Sequence, residues 1–155
     1  MKFACENSKG VSEHSEILYV STTALPAQAS TPEADYSLSS ATSLYVKWAL
    51  TADQTGPGGL ITGYVLYMDD GLGGLYTPIF NTVNVSPTIQ GYLVSGLTTG
   101  RQYRFKLEAY NYNGAGPESA VATLQACAMP SGLAIPSRVS STSTAITIRW
   151  NEPTN

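Results

Sequence analysis

The chain has 155 residues, of which 12% are charged, and its net charge is −3. Average soluble domains carry about 25% charged residues, so this surface is polar mainly through hydroxyl and amide groups, a pattern commoner outside cells than in the cytosol. The absence of a basic run argues against a nucleic acid partner, and the absence of a long apolar run argues against insertion into a membrane.

The first ten residues, "MKFACENSKG", alternate apolar and polar side chains and end in a turn-forming cluster. A period of two predicts a β-strand, here with Met1, Phe3 and Cys5 on its inner face.

Four later stretches show the same alternation, at residues 44–48, 64–68, 102–109 and 146–150. Each is predicted to be a half-buried strand with one face toward a core. The inward sets are Leu44, Val46 and Trp48; Tyr64, Leu66 and Met68; Tyr103, Phe105, Leu107 and Ala109; and Ile146, Ile148 and Trp150.

Between these strands lie the clusters "DQTGPGG", "DDGLGG", "LTTGR" and "NYNGAGP". Their Gly, Asn, Asp and Pro residues tolerate the backbone dihedrals of turns. No segment has a sustained helical stripe. Short strands separated by regular turn signals predict a β-sandwich.

The chain also contains an internal repeat. When the chain is aligned with itself so that Gly10 matches Gly114, "MKFACENSKG" aligns with "FKLEAYNYNG" without a gap. A second, nearly equal shift aligns "TAITIRW" with "TSLYVKW". The predicted domains are residues 1–23, the last two strands of one unit; 24–127, a complete unit; and 128–155, the first two strands of a third.

The middle unit resembles a fibronectin type III domain. It carries a Pro-containing lead-in, a tryptophan on the second strand, and the stretches "ITGYVLY", "YLVSGLTTGRQY" and "AYNYNGAGPES". The resemblance implies an all-β, immunoglobulin-like Greek-key sandwich, with Trp48 at its centre and Tyr103 as a tyrosine corner that clamps the turn after Leu97. The expected core residues are Trp48, Tyr64, Leu97, Tyr103 and Trp150.

Two features depart from that family. The loop at residues 69–84 is long and contains glycines, so the fourth strand is poorly defined in the sequence. The integrin-binding Arg-Gly-Asp tripeptide of some members is absent, and the corresponding loop reads "NYNGAGP". Integrin binding is therefore not carried over.

Few residues point to chemistry. His14 is the only histidine, and its place after a turn predicts a solvated side chain and no catalytic triad. Asp69 and Asp70 precede Gly71, which favours a turn over the alternative, a calcium site. The groups "GPGG" and "GLGG" lack the Lys and Ser/Thr of a phosphate-binding loop. We expect no catalytic residue, no metal and no cofactor.

The two cysteines fall in different predicted domains. They are too far apart along an extended array to form a disulfide. Cys5 is expected to be a buried free thiol, and Cys127 to be free or paired with another molecule.

Surface positions give the remaining clues. Asn84 begins the N-glycosylation acceptor Asn84-Val85-Ser86, although Pro87 follows it. Outward tyrosines offer a surface for glycans or proteins, but tyrosine also simply suits a half-exposed strand, which is the preferred interpretation. These tyrosines are Tyr45, Tyr67, Tyr110 and, in a turn, Tyr112.

We expect a structural or adhesive module of an extracellular or cell-surface tandem-repeat protein, in a fibre or coat. Its expected partners are neighbouring repeats or copies of the same protein, and glycans. The alternative is an accessory spacer of a larger secreted enzyme or receptor. A third, weaker alternative is an intracellular scaffold, which the low charge disfavours. A lone two-stranded piece is marginally stable, so residues 1–23 and 128–155 are expected to be completed by neighbouring material.

Overall fold

The computed structural model describes residues 2–17, 23–54, 56 and 59–153. Within these ranges the regular structure consists of β-strands joined by turns. The strands are β1 Glu6–Asn7, β2 Gly10–Val11, β3 Glu33–Ser40, β4 Ser43–Lys47, β5 Gly63–Met68, β6 Thr77–Asn81, β7 Gly91–Ser95, β8 Gln102–Asn111, β9 Gly114–Ala115, β10 Ala122–Gln125, β11 Ser137–Ser141 and β12 Ile146–Arg149.

Strands β3 to β10 form two sheets. The larger sheet has the order β10-β8-β5-β6, with β9 also paired to β8, and the smaller sheet has the order β3-β4-β7. All neighbouring strands are antiparallel. The inner faces of both sheets supply one hydrophobic cluster, which confirms the predicted immunoglobulin-like β-sandwich.

The period-two patterns correctly predict the faces that enter the core. On β4, Leu44 and Val46 are fully buried, and on β8 the same holds for Phe105, Leu107 and Ala109. The intervening side chains of β8 are half-buried on the outer face of the larger sheet. Burial of this inward set is the main source of the domain's stability.

Aromatic contacts fill the centre of the sandwich. The ring centroid of Trp48 lies 6.0 Å from that of Tyr64 and 6.4 Å from that of Phe80, whose ring stacks on Tyr92 at 4.2 Å. The hydroxyl of Tyr64 accepts a hydrogen bond of 2.7 Å from the backbone N–H of Thr51, so its polar end is satisfied.

The long loop region contains a regular strand that the sequence left undefined. β6 pairs with β5, and the register shifts between Leu66 and Tyr67, so that Leu66 faces Phe80 while Tyr67 faces Pro78. Ile79 is therefore an extra residue on β6, as in a β-bulge. The bulge interrupts the alternation, so this stretch lacks a clear strand pattern.

The N-terminal strands repeat the hydrogen bonds of β8 and β9. Ser12 N–H donates to the Cys5 carbonyl at 2.8 Å, as Gly116 N–H donates to Ala109, also at 2.8 Å. Glu6 pairs with Val11 as Tyr110 pairs with Ala115. Sequence positions that align in the repeat thus have the same local structure.

The C-terminal hairpin likewise copies β3 and β4. Ser137 pairs with Arg149 as Glu33 pairs with Lys47, and a register shift follows in both hairpins. Neither terminal hairpin joins a sheet of the central sandwich; each forms a two-stranded sheet of its own.

Five residues of these hairpins are exposed although alternation predicts that they face a core, among them Ile146 at 70% and Ile148 at 52% exposure. Trp150, expected in a core, is 64% exposed, and Phe3 is 70% exposed. Cys5, expected to be buried, is also exposed. The reason is the same in each case, since no second sheet packs on these faces among the described residues. The predicted inward residue Met1 lies outside the described residues.

Candidate functional site

The outer face of the larger sheet carries a group of polar and aromatic side chains that contact one another. Alternation along β8 turns its charged residues outward, and pairing of Tyr67 with Lys106 brings β5 side chains beside them. We call this surface the tyrosine face; it comprises Tyr67, Tyr76, Arg104, Lys106, Glu108, Tyr110 and Glu118.

One carboxylate oxygen holds two phenols on this face. The hydroxyls of Tyr67 and Tyr110 donate to Glu108 Oε2 at 2.9 and 3.0 Å. Burial, followed by these hydrogen bonds, raises the pKa of both tyrosines above the ordinary value. Both phenols therefore remain protonated at neutral pH and act as hydrogen-bond donors rather than as bases.

The ring of Tyr76 lies against two cations. Lys106 Nζ is 4.4 Å from the ring centroid and Arg104 Cζ is 5.2 Å from it. Lys106 also pairs with Glu118 Oε2 at 2.6 Å. These distances are typical of cation–π contacts. The two cations cover part of the ring face on which a sugar would stack. The face is thus polar, and its charged groups are held by neighbouring side chains.

The two adjacent aspartates hold the loop after β5. Asp69, 3% exposed, accepts from Arg104 through its backbone N–H at 2.8 Å and its Nε at 2.7 Å, and from Gly71 N–H at 3.1 Å. Burial alone raises the pKa of Asp69, but the hydrogen bonds outweigh it and leave that pKa below its ordinary value.

Asp70 caps the same loop from its other side. Its Oδ1 accepts from the backbone N–H groups of Leu72 at 2.8 Å and Gly74 at 3.0 Å, and these bonds lower its pKa. The carboxylates of Asp69 and Asp70 are thus engaged by the protein, as the turn interpretation predicts. Among the described residues no group of three or more His, Cys, Asp or Glu side chains is placed to hold a metal.

The structure brings together only part of the predicted tyrosine surface. Tyr67 and Tyr110 share Glu108, whereas Tyr45 lies on the smaller sheet beside Gly91, and Tyr112 is 64% exposed in the turn between β8 and β9. The sequence analysis did not place Tyr76 on this surface. Regular alternation puts Tyr76 on the same face as the inward residue Phe80, and the bulge in β6 breaks that alternation.

Asn84 lies in the loop between β6 and β7. It is exposed, has a φ of 61°, and donates its backbone N–H to the Thr62 carbonyl at 2.9 Å. A left-handed backbone is tolerated by asparagine. Val85 beside it is 81% exposed. The side chain of Asn84 is thus presented to solvent, as an acceptor for a glycan must be.

Tyr103 occupies the position of the expected tyrosine corner. Its ring is 5% exposed, and its hydroxyl accepts a hydrogen bond of 3.0 Å from Thr98 N–H, just after the buried Leu97. The contact fixes the turn that leads from β7 into β8.

Among the described residues, the histidine and the two cysteines do not form a shared site. His14 is exposed, and no hydrogen bond joins it to a carboxylate within the described ranges. Cys5 is exposed and Cys127 half-buried, and both are free thiols.

The family model for the fibronectin type III domain matches residues 30–125. The chain belongs to the fibronectin type III family. Domains of this family are common in extracellular, cell-surface and adhesion proteins.

Solved fibronectin type III structures share this fold at low identity. The sixth domain of human fibronectin type III domain containing protein 3 is 22% identical, with a TM-score of 0.53, and the match covers 69% of this chain and 91% of that one. Chicken CNTN1 FN1–FN3 domains are 18% identical, with a TM-score of 0.56, and the match covers 99% of this chain and 54% of that one.

No curated protein matches the chain. Within the described residues, no helix has the length and apolar character needed to cross a membrane.

Proposed function

We propose that this fibronectin type III chain is part of an extracellular tandem-repeat protein with a structural or adhesive role. The observation that carries the proposal is the repeated hydrogen-bonding pattern. β1 and β2 copy β8 and β9, and β11 and β12 copy β3 and β4. Successive copies of one unit along a chain are the mark of a repeat array.

The similarity to a multidomain structure supports an array. The match to chicken CNTN1 FN1–FN3 domains extends over 99% of this chain, well beyond the residues 30–125 of the family model. In an array, further strands can cover the exposed apolar faces of the terminal hairpins. Ile146 and Ile148, 70% and 52% exposed here, correspond to the fully buried Leu44 and Val46.

The proposed partners are neighbouring repeats, other copies of the protein, and glycans. The tyrosine face supplies phenol donors and charged groups for such contacts, and Asn84 supplies an exposed acceptor for an N-linked glycan. The alternative role is an accessory spacer in a larger secreted enzyme or receptor, in which the same array separates a catalytic or binding unit from its surroundings.

The decisive experiment uses antibodies raised against the folded 155-residue chain. They should label intact source cells or their culture medium, and the protein that they purify should appear as a beaded rod in electron micrographs. Labelling that appears only after permeabilisation would overturn the extracellular role. Mass spectrometry of the purified protein separates the alternatives, because peptides from a catalytic domain would identify an accessory spacer.

Glycosylation is tested on the same native protein. We expect peptides that contain Asn84 to carry a hexose-containing mass increment that a peptide N-glycosidase removes. Expression of the chain and of N84Q in a secreting eukaryotic host gives the control, since only the unchanged chain should shift in mass. Unmodified Asn84 peptides in both the native and the expressed protein would refute the assignment.

A further inference from the structure

A groove opens at the end of the sandwich where β5 begins beside the end of β8. Three separate parts of the chain line it: the stretch before β5, the loop after β6 and the turn after β8. Its volume is about 310 Å³, at the small end of the range for ligand-binding clefts. The lining includes Leu60, Thr62, Asn84, Val85, Pro87 and Tyr112.

The side chains of this groove expose apolar surface to water. Leu60 is 62% exposed, Val85 81% and Tyr112 64%. Contiguous exposed apolar surface marks a contact site in a soluble protein. The described lining contains no Asp, Glu, His, Lys or Arg. A neutral occupant therefore matches the groove, because an ion would lose its hydration there without gaining a partner of opposite charge.

Backbone hydrogen bonds hold the parts of the groove together. Asn84 N–H donates to the Thr62 carbonyl at 2.9 Å, and Thr62 N–H donates to the Tyr110 carbonyl at 2.7 Å. The loop after β6 also closes on itself, since Val85 N–H donates to the Thr82 carbonyl at 2.9 Å. The backbone of Asn84 and the end of β8 are therefore fixed relative to each other before a ligand binds.

The side chain of Asn84 is an attachment point for a neutral ligand in this groove. It begins the acceptor motif Asn84-Val85-Ser86, and no hydrogen bond joins its amide to another described residue. An N-linked glycan begins with N-acetylglucosamine, whose ring has a face of C–H groups and whose acetyl group ends in a methyl. A sugar bonded to Asn84 is delivered to the groove at a high effective concentration.

Tyr112 is the aromatic side chain of the groove. It lies in the turn between β8 and β9, in a sequence position that small polar residues usually occupy. Unlike the ring of Tyr76, which faces two cations, the ring of Tyr112 has no ring or charge contact with another described residue. The Tyr112 ring is therefore open to packing against the C–H face of a sugar.

We infer that the first N-acetylglucosamine of a glycan on Asn84 packs in this groove against the ring of Tyr112 and covers Leu60 and Val85. The inference rests on the proposed function, which makes Asn84 the glycan acceptor. It adds a binding site for the sugar to that proposal. The sugar thereby stabilises the domain, because the apolar surface of the groove and of the sugar leaves water only in the folded state.

The test compares the chain with and without the sugar. The 155-residue chain secreted from a eukaryotic host is treated, while folded, with an endoglycosidase that leaves one N-acetylglucosamine on Asn84, and mass spectrometry verifies that it is present. The same chain made in a bacterial host supplies the sugar-free form. Urea unfolding is measured for both forms of the unchanged chain, of Y112S and of Y36S. Y36S is the matched control, because Tyr36 is also exposed but lies on β3, outside the groove.

We expect the sugar to lower the unfolding equilibrium constant of the unchanged chain about fivefold, which corresponds to roughly 40 Å² of apolar surface removed from water. The same factor should remain in Y36S and fall to near one in Y112S. Y112F keeps the ring and should restore the factor. In proton NMR spectra, the acetyl methyl signal should be shifted upfield by the ring current of Tyr112, and this shift should be lost in Y112S.

Two kinds of result would overturn the inference, and they are distinguishable. On a chain that carries the sugar, an equal factor in Y112S and Y36S, or an unshifted methyl signal, would exclude the packing and leave glycosylation standing. Absence of sugar from Asn84 in both the native protein and the secreted chain would exclude glycosylation and the packing together. If Y112S does not fold, L60S decides in the same way, because Leu60 also lines the groove.

Discussion

Replacement of Trp48 by alanine tests the packing at the centre of the sandwich. Trp48 is 5% exposed and contacts Tyr64 and Phe80, so truncation leaves a cavity between the two sheets. Loss of a buried large aromatic side chain costs about 3 to 5 kcal/mol. A typical domain has about 5 to 15 kcal/mol of stability, so the loss removes much of it.

Calorimetry or far-ultraviolet circular dichroism gives the measurement. At about 4 to 8 °C per kcal/mol for a domain of this size, W48A should melt at least about 12 °C below the unchanged chain. The chain offers a matched control in W150A, because Trp150 aligns with Trp48 in the repeat but is 64% exposed. Truncation of an exposed side chain changes stability by about 0.5 kcal/mol or less, so W150A should melt within a few degrees of the unchanged chain.

Two results would contradict central packing of Trp48 and exposure of Trp150. A W48A domain that melts within a few degrees of the unchanged chain would show that the cavity is absent. A loss in W150A as large as that in W48A would show that the C-terminal hairpin is packed in solution.

Three further predictions concern hydrogen bonds and ionisation. Y103F should lose about 1 kcal/mol in urea unfolding, the contribution of one hydrogen bond, and equal stability would count against the corner. Because the pKa of Asp69 is lowered in the folded chain, the unfolded chain binds more protons in acid than the folded chain does. The free energy of unfolding should therefore fall below about pH 4. D69N should show a shallower fall between pH 7 and pH 3. The raised pKa of Tyr67 favours the protonated folded state, so stability should fall above about pH 10, less steeply in Y67F, and identical alkaline profiles would argue against the Glu108 contact.

Local periodicity was enough to predict the core strands. The inward residues of β4 and β8 are buried, as alternation predicts. In both strands the pattern of the strand itself is enough to identify the buried face. The family and the sandwich also followed from local signals at Trp48 and in the turns. These features depend on short stretches of sequence, so they can be recognised without the structure.

The features that escaped prediction depend on distant parts of the chain. Exposure of Cys5 and Trp150 is decided by whether another sheet packs on them, which their own hairpins do not determine. Tyr76 was hidden by a bulge. Asn111 and Asn113 bond carbonyl groups 87 and 90 residues away, so their turn-forming character was visible but their role in holding the chain ahead of β3 was not.

The two tryptophans lie in different environments, so they give the chain two distinguishable fluorescence signals. Trp48 is enclosed by aromatic rings, whereas most of the Trp150 side chain is in contact with solvent. An indole shielded from water emits at shorter wavelength than a hydrated one, and a water-soluble quencher reaches only the hydrated ring. Quenching therefore isolates the emission of the central sandwich, and any contact that covers Trp150 can be followed as the longer-wavelength emission moves toward that of Trp48.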